Sequence, residues 1–278
     1  TESLLGIKYV ISAADKGLGY KQILIKGDFQ AYENLYPLPL GFLADKAVLE
    51  FDPSRDNNPF TLQGKLINLL QGNTAKSEEV IFLKPLPLLS TSLDNAVIVK
   101  EKGKEIVQRT NNSQPAFIEF TVRNPVEQQV YACFQTIYSD VRIFLNNEEL
   151  KGYMPAYNKR IIDCGYQPAQ KVLKIKILFN NTGFTLEEKY FYGLTANNLQ
   201  KAITPLQDQV MANIKVTDTW VRGDVNVQDQ TKSLLFTSIP YDPGWRAWVD
   251  GREVPAIKIA RAFLGVELPA GRHEVVLE

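Results

Sequence analysis

The sequence predicts a mainly β protein: two antiparallel β-sandwich, jelly-roll-like domains with a few short α-helices. Short β-favouring runs recur along the chain, their side chains alternate, and Asn, Gly and Pro clusters separate them. Only two stretches show helical spacing. At 278 residues the chain exceeds one ordinary domain, so two are expected, residues 1–193 and residues 194–278.

Along the first part, residues 4–11, 21–25 and 29–35 read as strands, and the Pro37 and Pro39 pair ends the third. Residues 38–43 continue extended, and 47–51 form a brief run. Asn58 stands as an N-cap with Pro59 at the first helical position and Gly72 beyond the end, so residues 59–70 are helix. Residues 80–83, 97–100, 116–122, 129–134, 141–145, 172–178 and 190–192 then read as strands. Asn146-Asn147 makes a hairpin turn, since a short polar side chain tolerates left-handed backbone. A second helix spans 195–211, with Thr195 as N-cap, Leu199, Ala202, Ile203 and Leu206 at helical spacing, and Pro205 as a kink.

The C-terminal stretch is the most explicit. Residues 234–239 form a strand, and Pro243-Gly244 suits the central positions of a type II turn. Asp250-Gly251 then calls for a type I′ hairpin, because both residues tolerate positive φ. With those two as the loop, Val249 faces Arg252, Ala247 faces Val254 and Trp245 faces Ala256, on the core side. Trp248 points outward, opposite Glu253. Pro255 marks an edge. Residues 263–268 and 272–277 are two further strands, joined through Pro269-Ala270-Gly271.

Composition narrows the function. Lys and Arg total 31 and Asp and Glu total 31, so no broad field draws nucleic acid or anionic lipid. The chain is 45% hydrophobic and 22% charged, as folded proteins are. No apolar run reaches the roughly 18 residues of a membrane span, and nothing resembles a signal peptide. Opening at Thr1 and going almost at once into a strand, the sequence reads as a piece of a longer protein. Cys133 and Cys164 are too few and too far apart for a zinc site; they form one disulfide or two buried thiols.

Reactive constellations are not recognisable. His273 is the single histidine, and no Gly-x-Ser-x-Gly elbow accompanies it, so it reads as structural. Pairs such as Glu148-Glu149 point to opposite sheet faces and do not clamp a metal. Gly-rich phosphate loops do not occur, which argues against nucleotide binding. No catalytic residue, metal or cofactor is therefore assigned. Aromatic residues carry the functional interest. Trp248, Tyr32 and Tyr36 are candidates for stacking on a sugar. Against that stands cover of Trp248 by another strand or by the other domain.

The runs IPYDPGWRAWVDGREV and AFLGVELPAGRHEV closely resemble the C-terminal region of the YfhO family of bacterial polytopic membrane proteins. SLLGIKYVIS, YENLYPLPLGF and NPFTLQGKLINLLQG resemble its earlier blocks, in the same order. Gly244, Trp245, Asp250, Gly251, Gly271 and His273 match the blocks, and each reads as a turn or core position. The resemblance implies a membrane glycosyltransferase parent that uses a polyprenyl-phosphate sugar donor to modify surface polymers such as teichoic acids. Its catalytic carboxylate is then expected between early membrane helices, outside this chain. The chain itself becomes a non-catalytic domain on the extracytoplasmic side of the cell membrane, partnered by its own transmembrane region and by cell-surface glycan. A second reading is a free-standing secreted carbohydrate-binding or adhesion module.

Overall fold

The computed structural model describes residues 2–12, 15–73, 82–137, 141–150 and 161–278. It is mostly strand, as expected, but the chain divides differently from the expected 1–193 and 194–278. One unit comprises Thr1–Phe82 together with Ala196–Glu278, and the other comprises Leu83–Thr195. The reason is a long-range pairing: strand Gly41–Ala44 hydrogen-bonds to Leu234–Pro240, matching Phe42 with Phe236 and Leu43 with Leu235. Strand Gly41–Ala44 therefore completes the C-terminal sandwich, and in sequence the second unit is inserted between the two parts of the first.

In the first unit, a five-stranded sheet runs in the order Ala212–Val216, Val221–Val227, Gly271–Leu277, Ala247–Val249, Arg252–Val254. A four-stranded sheet runs Ile257–Ile259, Phe263–Glu267, Leu234–Pro240, Gly41–Ala44. Val225, Ala247, Val249, Val275 and Leu277 of the former meet Leu43, Leu235, Leu264 and Val266 of the latter in one core. The strands expected at 263–268 and 272–277 thus turn Leu264, Val266, Val275 and Leu277 inside.

Helix α1 covers Pro59–Gln71. The Asn58 side chain accepts the Phe60 N–H at 3.0 Å, and Gly72 closes the helix in the left-handed region at φ 81°. Helix α2 covers Ala196–Gln207 and buries Leu199, Ala202, Ile203 and Leu206, the expected stripe. It stops short of Met211, because Val210 bridges to Phe42 and the Met211 N–H bonds to Gly41 O at 2.9 Å. Nearer the amino end, residues 2–6 are turn and the first strand is only Tyr9–Ser12. Residues 46–50 form a 3-10 helix, because Asp45 caps it by accepting the Ala47 N–H at 2.8 Å.

The second unit is a sandwich in itself. One sheet runs Ile161–Gln167, Gln128–Ile137, Gly183–Leu194, Lys104–Arg109, Ala96–Glu101, with Lys84–Pro85 also paired to Gly183–Leu194. The other runs Glu148–Glu149, Val141–Leu145, Val172–Phe179, Ala116–Arg123, Leu88–Asp94. Ala116–Arg123 and Val172–Phe179 alternate buried with less buried residues, as half-buried strands should. Phe120 stacks on Phe134 with centroids 5.4 Å apart, and Phe191 packs against both. Asn146 and Asn147 take φ 49° and 72° in the expected hairpin. Cys133 and Cys164 are buried thiols rather than a disulfide. Cys164 lies in the core with Ile162, whereas Cys133 pairs with Ile161 on the opposite face, so the sulfurs do not meet. Burial pushes the Cys164 thiol well up from its ordinary pKa. The strand expected at 80–83 lies partly outside the described residues.

Candidate functional site

The outer face of the five-stranded sheet carries Trp248. Asp250 and Gly251 adopt φ 51° and 76°, and the ladder pairs Ala247 with Val254, Trp248 with Glu253 and Val249 with Arg252. The ring is outward and half-buried. The Arg246 guanidinium sits 4.9 Å from the ring centroid, anchored by Nε and Nη2 on the two Glu253 carboxylate oxygens at 2.9 and 2.8 Å. That pairing holds the Glu253 carboxyl below its ordinary range. A sugar stacking on this side of the indole has to displace the guanidinium.

The tyrosine candidates fare differently. Tyr32 is only 2% exposed, and its hydroxyl donates to Gln30 Oε1 at 2.5 Å; burial raises its pKa. It is a core residue, because its strand Phe29–Asn34 turns Tyr32 and Asn34 inward. Tyr36 is half-buried: its N–H bonds to Asn34 Oδ1 at 3.0 Å, and its ring lies over Gly19. The structure does not bring these three aromatics together as one sugar platform.

A site that the sequence did not reveal lies within the first unit, where α1 ends against α2. An open cleft of about 590 Å³ is lined by Gln71, Asn73, Asn197, Gln200, Lys201, Thr204, Pro205 and Lys232. Its side chains end in amide, hydroxyl and ammonium groups, while their stems and Pro205 leave most of its surface apolar. Gln71 Nε2 donates to Ala202 O at 2.7 Å and Lys201 O at 3.3 Å, and Asn73 Nδ2 donates to Gln71 Oε1 at 2.9 Å, so its floor is fixed. The sequence signal was Pro205 in an otherwise regular amphipathic helix; the partner of the Lys201 carbonyl, Gln71, is 130 positions away. The ammonium groups of Lys201 and Lys232 and the amides of Gln71, Asn73 and Gln200 are the polar groups there that can hydrogen-bond.

The sequence profile described as bacterial membrane protein YfhO matches residues 1–278. The chain belongs to the YfhO family. Comparison with curated proteins finds no match. Among solved structures, a β-glucuronidase from Ruminococcus gnavus in complex with uronic deoxynojirimycin is 12% identical, with a TM-score of 0.24, covering 59% of this chain and 33% of that one. A cycloisomaltooligosaccharide glucanotransferase from Paenibacillus sp. complexed with cycloisomaltoheptaose is 9% identical, with a TM-score of 0.26, covering 78% of this chain and 50% of that one. Scores this low carry no argument about ligand or activity.

In this YfhO chain the family-block residues build turns. Asp242 Oδ1 accepts the Gly244 N–H at 2.8 Å and Asp242 O accepts the Trp245 N–H at 3.1 Å. Gly244 is not among the positive-φ glycines, so the turn is not the expected type II. Asp at its first position favours type I geometry. Trp245 is half-buried at the core margin, with Nε1 donating to Pro240 O at 3.1 Å, rather than a fully enclosed core residue. His273 Nδ1 lies 2.7 Å from Asp250 Oδ2, while Asp250 Oδ1 accepts the Glu274 N–H at 2.9 Å. His273 Nε2 faces the carbonyls of Pro269 and Ala270 at 3.2 and 3.4 Å. The histidine therefore ties the Asp250-Gly251 hairpin to the turn ending at Gly271, and its bond holds the Asp250 carboxyl below its ordinary range. Among the described residues no group of three or more His, Cys, Asp or Glu is placed to hold a metal ion, and no helix is long and apolar enough to cross a membrane.

Proposed function

We propose that this chain is the extracytoplasmic, non-catalytic region of a YfhO-type membrane glycosyltransferase, and that it holds the acceptor polymer for a polyprenyl-phosphate-sugar reaction carried out elsewhere in the parent. The family match across residues 1–278 supports the membrane parent. The observation that carries the holding role is the cleft at the junction of α1 and α2. Lys201 and Lys232 line it beside the amides of Gln71, Asn73 and Gln200. A teichoic acid presents repeating phosphates and hydroxyls, and this lining supplies cations for the first and amide partners for the second. The non-catalytic role is supported by His273, whose Nδ1 meets Asp250 of the hairpin and whose Nε2 faces the Pro269 carbonyl of the turn ending at Gly271.

Titration of the chain with poly(glycerol phosphate) by calorimetry tests this. Saturable binding is expected, weakened about tenfold in Lys201→Ala/Lys232→Ala and weakened further by added salt. Binding that is unaltered in the double variant, or no binding at all, defeats the assignment. Trp248→Ala separates it from an aromatic platform: the cleft reading expects unchanged affinity, since Arg246 already caps the indole.

A further inference from the structure

The three-stranded sheet of the first unit inverts the usual pattern of a half-buried sheet. Its strands, Tyr9–Ser12, Phe29–Asn34 and Tyr20–Lys26, pair so that Ile11, Ala31 and Leu24 form one row. Tyr9, Glu33 and Lys21 form the next row, and Phe29 pairs with Lys26 at the hairpin end. These side chains share one face, while the other face carries the buried Tyr32 and Asn34. An antiparallel sheet packed on one side ordinarily shows polar residues on the other. Here Tyr9 is 56%, Ile11 75%, Leu24 59% and Phe29 59% exposed. Ile25, 64% exposed, extends the apolar hairpin tip from the opposite side.

The charges beside this patch suit an interface between water and lipid. Lys21 and Lys26 alternate with the apolar residues, and Lys8 Nζ lies 5.2 Å from the Tyr9 ring. Glu33 and Asp28 oppose these three lysines, leaving a small cationic excess. Lysine stems lie along apolar surface while their ammonium groups reach headgroups, and tyrosine favours the same depth.

We propose that this face seats on the bilayer surface, with Ile11, Leu24 and Phe29 entering the boundary between headgroups and acyl chains and the lysines resting on anionic headgroups. Membership of a bacterial membrane protein family brings that surface within reach. The contact does not depend on what the cleft binds.

Flotation of the chain with vesicles of equal parts phosphatidylglycerol and phosphatidylethanolamine tests it. The wild-type chain is expected to float with the vesicles, and Leu24→Asp/Phe29→Asp to reduce partitioning about tenfold or more, with an unchanged circular dichroism spectrum. A polarity-sensitive dye on Leu24→Cys reports the contact directly, since Cys133 and Cys164 are buried. Its emission is expected to shift blue when vesicles are added. The proposal is overturned if the wild-type chain stays in the aqueous fraction, if the double variant floats equally well, or if the dye shifts only on self-association of the chain.

Discussion

Gln71 Nε2 donates to the carbonyl of Lys201 at 3.3 Å, the carbonyl that Pro205 leaves without a helical partner four residues on. The same amide reaches Ala202 O at 2.7 Å, so the last residue of α1 completes the hydrogen bonding of α2. Gln71→Leu is expected to cost about 1–3 kcal/mol in urea unfolding. In a Pro205→Ala background the cost should shrink, because the restored N–H serves Lys201 O. Equal costs in both backgrounds would uncouple the two residues.

A buried amide chain organises one end of the second unit. Asn124 Nδ2 donates to Pro168 O at 2.7 Å and Gln167 O at 3.1 Å, and Asn124 Oδ1 accepts Gln128 Nε2 at 2.8 Å. The Gln128 amide lies where any side chain on Gly193 would stand. Asn124→Ala strands three polar partners at a fully buried position, so a loss of about 3 kcal/mol is expected. Thermal denaturation checks it, and a shift no larger than that of a surface substitution would contradict the network.

Asp56 accepts Lys65 Nζ at 2.8 Å and the Thr61 hydroxyl at 2.7 Å, and these bonds bring its carboxyl down to about 2. A depressed carboxyl stabilises the fold while ionised, so its contribution is complete above about pH 4 and is lost as pH falls toward 2. Asp56→Asn should lower stability at neutral pH and flatten the acid limb between those values. An acid limb identical to wild type would contradict the assignment. The size will be modest, since the pair is near the surface.

Trp245 and Trp248 exchange some of the weight that alternation alone assigns them. As a fully enclosed core residue, Trp245 would cost roughly 3–5 kcal/mol on truncation. Half-buried, with one bond to Pro240 O, Trp245→Ala is expected to cost about 2 kcal/mol. Trp248→Ala should leave folding nearly intact while releasing Arg246. Chemical denaturation of both variants, compared side by side, decides the order.

These residues also show where sequence reading reached and where it stopped. The hairpin at Asp250-Gly251 and the caps of α1 were legible, because their geometry is dictated within four residues. The pairing of Phe42 with Phe236 was not, since neither strand encodes its partner. Leu88–Asp94 is exposed along its whole length and lacks the alternation that marks a half-buried strand. Tyr32 is a stacking candidate by residue type, but its strand turns it inward. The cleft is not legible in sequence because Asn73, Lys201 and Lys232 are far apart along the chain and meet only in the folded unit.

The proposed division of labour, with acceptor held here and bond-making elsewhere in the parent, is tested most directly by steady-state kinetics of the intact membrane protein carrying Lys201→Ala/Lys232→Ala. The expected result is a KM for the polymer raised about tenfold with kcat preserved. A collapse of kcat at unchanged KM would place chemistry in this region and contradict the assignment.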